Sequence, residues 1–164
     1  MINNKLLAFS GYSNSGKTTL LKTIIPLLCE QNFKVAMLKH AHHDIEIDIP
    51  GKDSYELRKA GALQTIIACD KRYAMICETP NEPADLKSLV NKFTNIDLVL
   101  VEGFKDEKIP KIICHRSETK KPLFIDEFTI AVASNIKLET AVPQLNIDKP
   151  NQIVEFIKNY LFNK

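Results

Sequence analysis

The sequence predicts an α/β fold with a mostly parallel β-sheet. One observation predicts this class, and two others predict a single globular domain. Short apolar runs of strand length alternate with segments of helical periodicity. Hydrophobic residues make up 45% and charged residues 26% of the 164 positions, which is typical of globular proteins. No internal segment has the composition of a linker, so we predict a single domain over residues 1–164.

The first third of the chain predicts a strand, a helix and a second strand. Residues 5–10 form an apolar run, and residues 17–32 follow a helical period. Pro26 lies inside that helix and is expected to bend it or to end its first half, because its ring removes one N–H. Residues 33–38 predict the second strand. The polar stretch 40–52 that follows fits neither period.

The middle of the chain predicts a short helix and a β-hairpin. Asp53 is expected to cap the helix, with Glu56 completing a capping box and Gly61 providing the left-handed stop. Residues 65–69 and 73–77 are rich in β-forming side chains and are separated by Asp-Lys-Arg. This pattern predicts a hairpin over about 65–77.

The last half predicts two helices and three strands. Apolar residues at i, i+3, i+4 and i+7 indicate an amphipathic helix: Leu86, Leu89, Val90 and Phe93. The apolar runs at 98–101, 109–115 and 129–133 predict strands. Pro150 opens a terminal helix. The predicted inner face of that helix consists of Ile153, Val154, Ile157, Tyr160 and Leu161.

Charge and cysteine usage exclude several classes of protein. The formal charge is only +2, from 22 basic and 20 acidic residues, so no global field draws the chain to nucleic acid or to an anionic membrane. No apolar run approaches the ~18 residues that a membrane span needs. A signal peptide is not expected either, because the strand-like residues 5–10 lead directly into the motif at Gly11, so we expect a cytoplasmic protein. The cysteines form no C-x-x-C pair and each lies in an apolar stretch, which indicates reduced core thiols. They are Cys29, Cys69, Cys77 and Cys114.

One motif indicates a nucleotide site. Residues 11–18, Gly-Tyr-Ser-Asn-Ser-Gly-Lys-Thr, match G-x-x-x-x-G-K-[ST] and lie between a predicted strand and a predicted helix. The backbone N–H groups of such a loop cradle phosphates at the positive end of the helix. Lys17 can reach the β/γ oxygens, and the Thr18 hydroxyl can bind Mg²⁺. The motif therefore predicts a three-layer P-loop NTPase fold, with the hairpin projecting from it.

A phosphate loop of this type also needs a nearby carboxylate for the metal ion. Asp97 and Glu102 lie at opposite ends of the strand predicted at 98–101. We predict that Glu102 is the ligand, because binding sites in parallel sheets form at the carboxyl ends of strands.

The polar stretch after the second strand contains three of the four histidines. His40 and His42 could chelate a metal with Asp44 or Asp48 as a third ligand, or the histidines could hydrogen-bond phosphate or substrate. Asp48 is the preferred candidate for ordering a Mg²⁺-bound water or the attacking water.

Six blocks carry a family resemblance: residues 11–18, Lys-His-Ala-His-His at 39–43, Asp48 with 50–54, 58–62, Val-Glu-Gly-Phe-Lys at 101–105, and Ala-Val-Ala-Ser at 131–134. In this order they resemble the molybdopterin-guanine dinucleotide biosynthesis protein B (MobB) family, a P-loop GTP-binding group related to the signal-recognition-particle GTPases. The resemblance covers the whole chain. It implies a small adapter that binds GTP with Mg²⁺, hydrolyses it weakly and acts beside the guanylyltransferase that joins GMP to molybdopterin. Direct binding of molybdopterin or of the molybdenum cofactor stays open.

The resemblance also implies roles for individual residues. Thr18, Asp48 and Glu102 would surround Mg²⁺, with Asp48 and Glu102 as the catalytic candidates. The hairpin at about 65–77 would extend the sheet into a homodimer. The nucleotide would contact Gly11, Ser13, Asn14, Ser15, Gly16, Lys17, Thr18, Thr19, Lys39, His40, Ser134 and Asn135.

One residue departs from the family pattern. The block Ala-Val-Ala-Ser is often followed by Asp, but this chain has Asn135. A carboxylate accepts both guanine N1–H and N2–H, whereas an amide offers one acceptor oxygen and a donor. Guanine preference therefore rests on backbone contacts, or this loop is not the base site.

Two other functions compete with the GTP-binding adapter. An ATP-dependent small-molecule kinase would need a lid with several arginines, and the chain has only Arg58, Arg72 and Arg116. A metal-delivering chaperone GTPase would use the histidines at 40, 42 and 43 as donors. Arg58 and Arg116 are the candidates for an arginine finger. Because no such finger is assured in cis, we predict slow intrinsic turnover, below about 1 per second.

Overall fold

The computed structural model describes residues 5–41 and 45–162 and has an α/β architecture. Its contacts divide the chain into two compact units, residues 1–40 with 89–164 and residues 41–88. The first unit contains a six-stranded sheet, and the second contains a hairpin. The predicted fold class, a mostly parallel sheet with helices and a separate hairpin, is confirmed. That residues 1–164 fold as one domain stays a prediction.

The six strands of the larger sheet are β1 Lys5–Ser10, β2 Val35–Lys39, β5 Leu98–Glu102, β6 Lys111–His115, β7 Thr129–Ser134 and β8 Gln144–Asn146. This sheet is parallel throughout and has the order β2-β5-β1-β6-β7-β8. Its central strand β1 pairs with β5 on one side and with β6 on the other. All the carboxyl ends therefore lie along one edge of the sheet, where the loop after β1 begins.

The core of the first unit joins this sheet to two helices, α1 Lys17–Glu30 and α4 Pro150–Phe162. Every residue of β5 and β6 is buried, as expected for strands of a parallel sheet that is covered on both faces. The two helices contact each other and contribute apolar side chains to one cluster with the strands. The helical part of that cluster includes Leu20, Leu21, Ile24, Leu28, Ile153, Val154 and Ile157.

Helix α1 continues through Pro26 to Glu30, so of the two predicted effects of the proline, an end to the first half of the helix is wrong and a bend stays a prediction. Leu28, two residues after the proline, is fully buried. The packing of the apolar face against the core outweighs the loss of one backbone hydrogen bond.

The second unit holds helix α2 Asp53–Lys59 and the antiparallel pair β3 Gln64–Cys69 and β4 Arg72–Cys77. The hairpin prediction is confirmed, with a turn at Asp70 and Lys71. The predicted cap of α2 is wrong, because Asp53 is the first helical residue and Lys52 occupies the capping position without a side-chain hydrogen bond.

Other elements differ from the predictions at their ends. Helix α3 spans only Leu86–Val90 and leaves out Phe93. In α4, Tyr160 and Leu161 are half-buried rather than buried. The edge strand β8 was not predicted, because its three residues carry a single apolar side chain, Leu145.

Two surface properties follow from the described residues. No helix among them is both long enough and apolar enough to cross a membrane. All four cysteines are free, but only Cys114 is buried. Cys29 and Cys69 are exposed, so the prediction that all four thiols lie in the core is wrong.

Candidate functional site

The loop between β1 and α1 has the geometry of a phosphate-binding loop. Gly11 has a φ of +146°, and a Cβ added there would lie 2.4 Å from the carbonyl oxygen of Cys114 in β6. Gly16 has a φ of +86° and occupies the capping position of α1. Asn14 also has a positive φ, 64°. The loop wraps closely because only glycine fits against the neighbouring strand at its start.

Lys17, the first residue of α1, stabilises this loop. Its Nζ donates to the carbonyl oxygens of Gly11 at 2.9 Å and of Tyr12 at 2.7 Å. Within the same loop, Ser15 is buried, and its hydroxyl has no hydrogen-bond partner within the described part of the chain. An ammonium group and a buried hydroxyl without a partner are suited to a ligand with several oxygen atoms.

Glu102 stands beside Thr18, as the strand-end argument predicted. The Thr18 hydroxyl donates to Glu102 Oε1 at 2.9 Å, and Lys39 Nζ lies 4.0 Å from Oε2. The Glu102 side chain is only 10% exposed. Asp97, at the opposite end of β5, instead accepts a hydrogen bond from the Lys34 backbone N–H. The structure therefore brings together a hydroxyl and a carboxylate, both hard oxygen ligands suited to Mg²⁺.

The phosphate loop and the Thr18–Glu102 pair line one open cleft of about 650 Å³, which is within the size range of small-molecule sites. The cleft contains eight of the residues predicted from the sequence together with Arg116. Its lining consists of Ser13, Asn14, Gly16, Lys17, Thr18, Thr19, Lys39, Glu102 and Arg116.

Arg116 was considered only as a candidate arginine finger, and the structure places it in the cleft. Its Nη2 donates to Asp148 Oδ1 at 2.6 Å, and its Nε lies 2.8 Å from the position of a Cβ on Gly16. It follows β6 directly, at the carboxyl edge of the sheet. Its place directly after a predicted strand could have identified it as a site residue, because the phosphate loop also begins at the carboxyl ends of the strands.

Cys114 lies beneath the loop and is chemically protected. Complete burial raises the pKa of its thiol to about 12. The thiol is therefore protonated at neutral pH and a poor metal ligand or nucleophile.

The histidine-rich stretch is only partly described. The His40 ring packs against that of Phe104 with centroids 4.5 Å apart and an interplanar angle of 32°, next to Gly103. His42, His43 and Asp44 lie outside the described residues, so their metal-binding prediction is not tested. Among residues 5–41 and 45–162, no three His, Cys, Asp or Glu side chains are grouped to hold a metal ion.

Asp48 belongs to the second unit, where it contacts Arg58. The Asp48 side chain is 5% exposed, and its Oδ1 accepts a hydrogen bond from Arg58 Nη2 at 2.7 Å. Arg58 also pairs with Glu46 and, at 2.8 Å, with Glu78. The hydrogen bond from Arg58 lowers the pKa of Asp48, which keeps the carboxylate ionised. The predicted role of Asp48 at Mg²⁺ stays a prediction.

Ser134 and Asn135 end β7 at the same edge of the sheet. The Ser134 hydroxyl lies 3.2 Å from His115 Nδ1 and accepts from the Ile136 N–H. Asn135 Oδ1 accepts from the Ser117 N–H at 3.1 Å, and its Nδ2 donates to Glu118 at 2.9 Å. Both ends of the Asn135 amide therefore have protein partners.

Comparison with known proteins identifies the family. The model of the family "Molybdopterin guanine dinucleotide synthesis protein B" matches residues 6–135. The molybdopterin-guanine dinucleotide biosynthesis adapter protein of Haemophilus influenzae is 49% identical over 95% of this chain and 89% of its own length. The Escherichia coli protein of the same name is 46% identical over 95% of this chain and 93% of its own.

The solved structures that resemble this chain come from the same family as the related sequences. The crystal structure of Bacillus subtilis MobB is 27% identical and superposes with a TM-score of 0.78 over 98% of this chain and 99% of that one. A second crystal structure, titled molybdopterin-guanine biosynthesis protein B, is 26% identical with a TM-score of 0.74 over 95% and 99% of the two chains. The chain therefore belongs to the molybdopterin guanine dinucleotide synthesis protein B family.

Proposed function

We propose that this protein is a GTP-binding adapter in the synthesis of molybdopterin-guanine dinucleotide. One observation carries the nucleotide part of the proposal. The phosphate loop, fastened by Lys17, opens into the same cleft as the Thr18–Glu102 pair. Backbone N–H groups, an ammonium group and a helix N-terminus there favour a triphosphate.

Mg²⁺ is the metal ion that this cleft suits. Thr18 and Glu102 would hold it, together with phosphate oxygens and water, which is the usual incomplete protein coordination of Mg²⁺. The ion would neutralise charge that develops on the phosphates during hydrolysis. Asp48 is proposed to order a water at this site, and its ionised carboxylate is suited to that role.

We propose that hydrolysis is weak. Arg116 is the arginine in the cleft, and its guanidinium is engaged by Asp148. An arginine finger contributes about 10³–10⁵ in rate when it reaches the transferred phosphoryl group. Turnover below about 1 per second without a partner is therefore expected, and a faster rate would show that catalysis is complete within this chain.

The biosynthetic part of the proposal comes from the relatives. Two proteins that match nearly the whole chain at 46–49% identity are named biosynthesis adapter proteins. The partner we propose is the guanylyltransferase that transfers GMP to molybdopterin. A protein that binds the same nucleotide and hydrolyses it slowly would suit an accessory role.

The first experiment measures nucleotide binding. Isothermal titration with GTP and with ATP in the presence of Mg²⁺ should show preferential GTP binding, and Lys17→Ala should abolish it. Lys22→Ala, which changes an exposed lysine on α1, is the matched control and should bind normally. Unchanged GTP affinity in Lys17→Ala would overturn the phosphate-loop assignment. Equal affinity with transfer of phosphate to a small acceptor would favour the kinase alternative.

The second experiment measures the adapter role. The guanylyltransferase, molybdopterin and GTP are combined with and without this protein, and formation of the dinucleotide is followed. The wild-type protein should increase the yield, and Lys17→Ala should not. An equal yield in all three reactions would refute the adapter role while leaving nucleotide binding intact.

A further inference from the structure

A buried lysine lies outside the cleft. Lys111 is the first residue of β6, and its side chain is only 1% exposed. Lysine is rarely buried to this extent, because an ammonium group taken from water needs both hydrogen bonds and an opposite charge. The proposed binding of nucleotide makes no use of this residue, so its partners indicate what it does.

Lys111 joins two loops that are distant in the sequence. Its Nζ donates to the carbonyl oxygen of Lys105 at 2.6 Å and to Asp126 Oδ2 at 2.7 Å. The other oxygen of Asp126 accepts from the Thr129 hydroxyl at 2.7 Å and from the Phe128 N–H at 3.1 Å. Asp126 therefore provides the opposite charge from a fixed position, and the ammonium group holds the backbone of Lys105.

The loop that Lys111 holds begins at the carboxylate of the cleft. Residues 103–110, the β5–β6 loop, connect Glu102 to Lys111. In the sheet, Glu102 is the register partner of Phe9, and Lys111 is the register partner of Ala8. The two ends of the loop therefore flank β1 at consecutive positions. Because successive residues of a strand point to opposite faces, Glu102 lies on the face covered by α1 and Lys111 lies on the other.

The start of the β5–β6 loop has a strained backbone. Gly103 and Phe104 follow Glu102 with φ values of +93° and +50°. The left-handed region suits glycine, but a bulky residue such as Phe104 stays there only where its surroundings impose it. Two contacts do so here. The Phe104 ring packs against that of His40, and the carbonyl of the next residue is held by Lys111.

We propose that Lys111 is a positioning residue for the Mg²⁺ site. By holding the carbonyl oxygen of Lys105, it keeps the turn at Gly103 and Phe104 in its strained conformation. That turn keeps the Glu102 carboxylate beside the Thr18 hydroxyl. The inference rests on the function proposed above, in which these two side chains hold Mg²⁺ with the nucleotide. Lys111 itself contacts neither the ion nor the nucleotide and acts through the backbone.

Lys111→Met tests this role, because methionine is also long and unbranched but has no N–H to donate. Binding of a fluorescent GTP analogue is measured over a range of Mg²⁺ concentrations. The Mg²⁺ concentration for half-maximal binding should rise about tenfold, as is typical when a residue that orients a metal ligand is changed. In EDTA, where Glu102 has no ion to hold, the variant and the wild type should bind the analogue equally.

Two controls separate positioning from a loss of stability. Asp126→Asn removes the opposite charge but leaves Lys111 with its hydrogen bond to Lys105. It should lower the melting temperature at least as much as Lys111→Met, because it leaves a buried charge unpaired, yet it should keep the wild-type Mg²⁺ dependence. Lys108→Met makes the same change at an exposed lysine of the same loop and should alter neither property.

Phe104→Ala is a second variant, which leaves no buried charge unpaired. It removes the ring that packs against His40, so the strained turn loses its other support. The Mg²⁺ dependence should shift in the same direction as in Lys111→Met, again without a change in EDTA. If Lys111→Met does not fold, this variant decides the outcome, and a wild-type Mg²⁺ dependence in Phe104→Ala would refute the link through the turn.

The outcomes distinguish this inference from the proposed function. If the wild type binds the GTP analogue with Mg²⁺ and folded Lys111→Met has the same Mg²⁺ dependence, the positioning role is refuted and nucleotide binding stands. If Lys111→Met and Asp126→Asn shift the Mg²⁺ dependence equally, Lys111 supports only stability and the positioning role is again refuted. If the wild type does not bind the analogue at any Mg²⁺ concentration, the proposed function fails and the inference fails with it.

Discussion

At the scale of single residues, the shape of the phosphate loop depends on positions that have no space for a side chain. Gly11 is the clearest example, since a methyl group there would meet a backbone oxygen, which cannot rotate away. The sequence motif predicted the residue type. It could not predict the obstacle, because Cys114 is about a hundred residues further along the chain and is brought to the loop only by the pairing of β1 with β6.

Gly11→Ala is expected to abolish GTP binding and to destabilise the protein. The added Cβ would force the loop away from β6, at a cost of about 1–3 kcal/mol of the kind seen for overpacking, in addition to strain at a positive φ. Thermal unfolding and GTP titration measure the two effects. Gly61→Ala is the matched control, since its φ is also positive, +115°, but its Cβ would meet nothing within 4 Å. Equal losses in both variants would contradict the close contact and leave only backbone strain.

At the scale of elements, Arg58 organises the second unit. Its guanidinium joins α2 to the acidic residues Glu46 and Asp48 of the preceding segment and to Glu78 after β4. One oxygen of Asp48 and the Nε of Arg58 are buried without a hydrogen-bond partner among the described residues. The ion pairs therefore substitute for a larger apolar core, because α2 buries none of its residues.

Stability of the second unit should decrease in acid. Because the pKa of Asp48 is lowered in the folded state, its contribution is present above the unfolded pKa of about 4 and is lost as the pH falls through the folded value. Hydrogen exchange followed by mass spectrometry should show faster exchange in residues 41–88 below about pH 4. In Asp48→Asn, residues 41–88 should exchange faster already at pH 7, and their exchange should depend less on acid. Asp70→Asn, in the hairpin turn, is the control, and an unaltered acid profile in Asp48→Asn would contradict this role.

The elements also show what a single sequence can predict. Buried strands such as β5 and β6 were predicted because continuous apolar runs leave little alternative. The three-residue strand β8 and the capping residue of α2 were not, because each is decided by neighbours distant in the chain. Glu102 was predicted because its place at a strand end can be read from the local sequence. The contact between Asn135 and Glu118 was not predicted, because it joins segments that are distant in the chain.

At the scale of the whole molecule, the hairpin is the surface that we propose for self-association. Ile66 and Met75 are cross-strand partners, and Tyr73 lies on the same face. Their exposed fractions are 62%, 44% and 74%. Clustered apolar side chains on a two-stranded sheet with open edges favour pairing with a second copy of the chain.

Disruption of that face should produce monomers. Ile66→Lys combined with Tyr73→Glu should halve the mass measured by light scattering after size-exclusion chromatography, because charges would replace the buried apolar contacts of a dimer. GTP affinity should persist in this variant. Ile125→Lys, a similar change at an exposed isoleucine of the first unit, should remain dimeric. A wild-type protein that is monomeric at all concentrations would contradict the proposed homodimer.

The order of strands in the main sheet has a consequence for synthesis of the chain on the ribosome. Strand β1 ends at residue 10, but its neighbours are residues 98–102 and 111–115. At about 5–20 residues per second, the phosphate loop waits roughly 5–20 s after its own synthesis for both supporting strands. The phosphate loop therefore cannot act as an early template for folding, because its supporting strands exist only when most of the chain has been made.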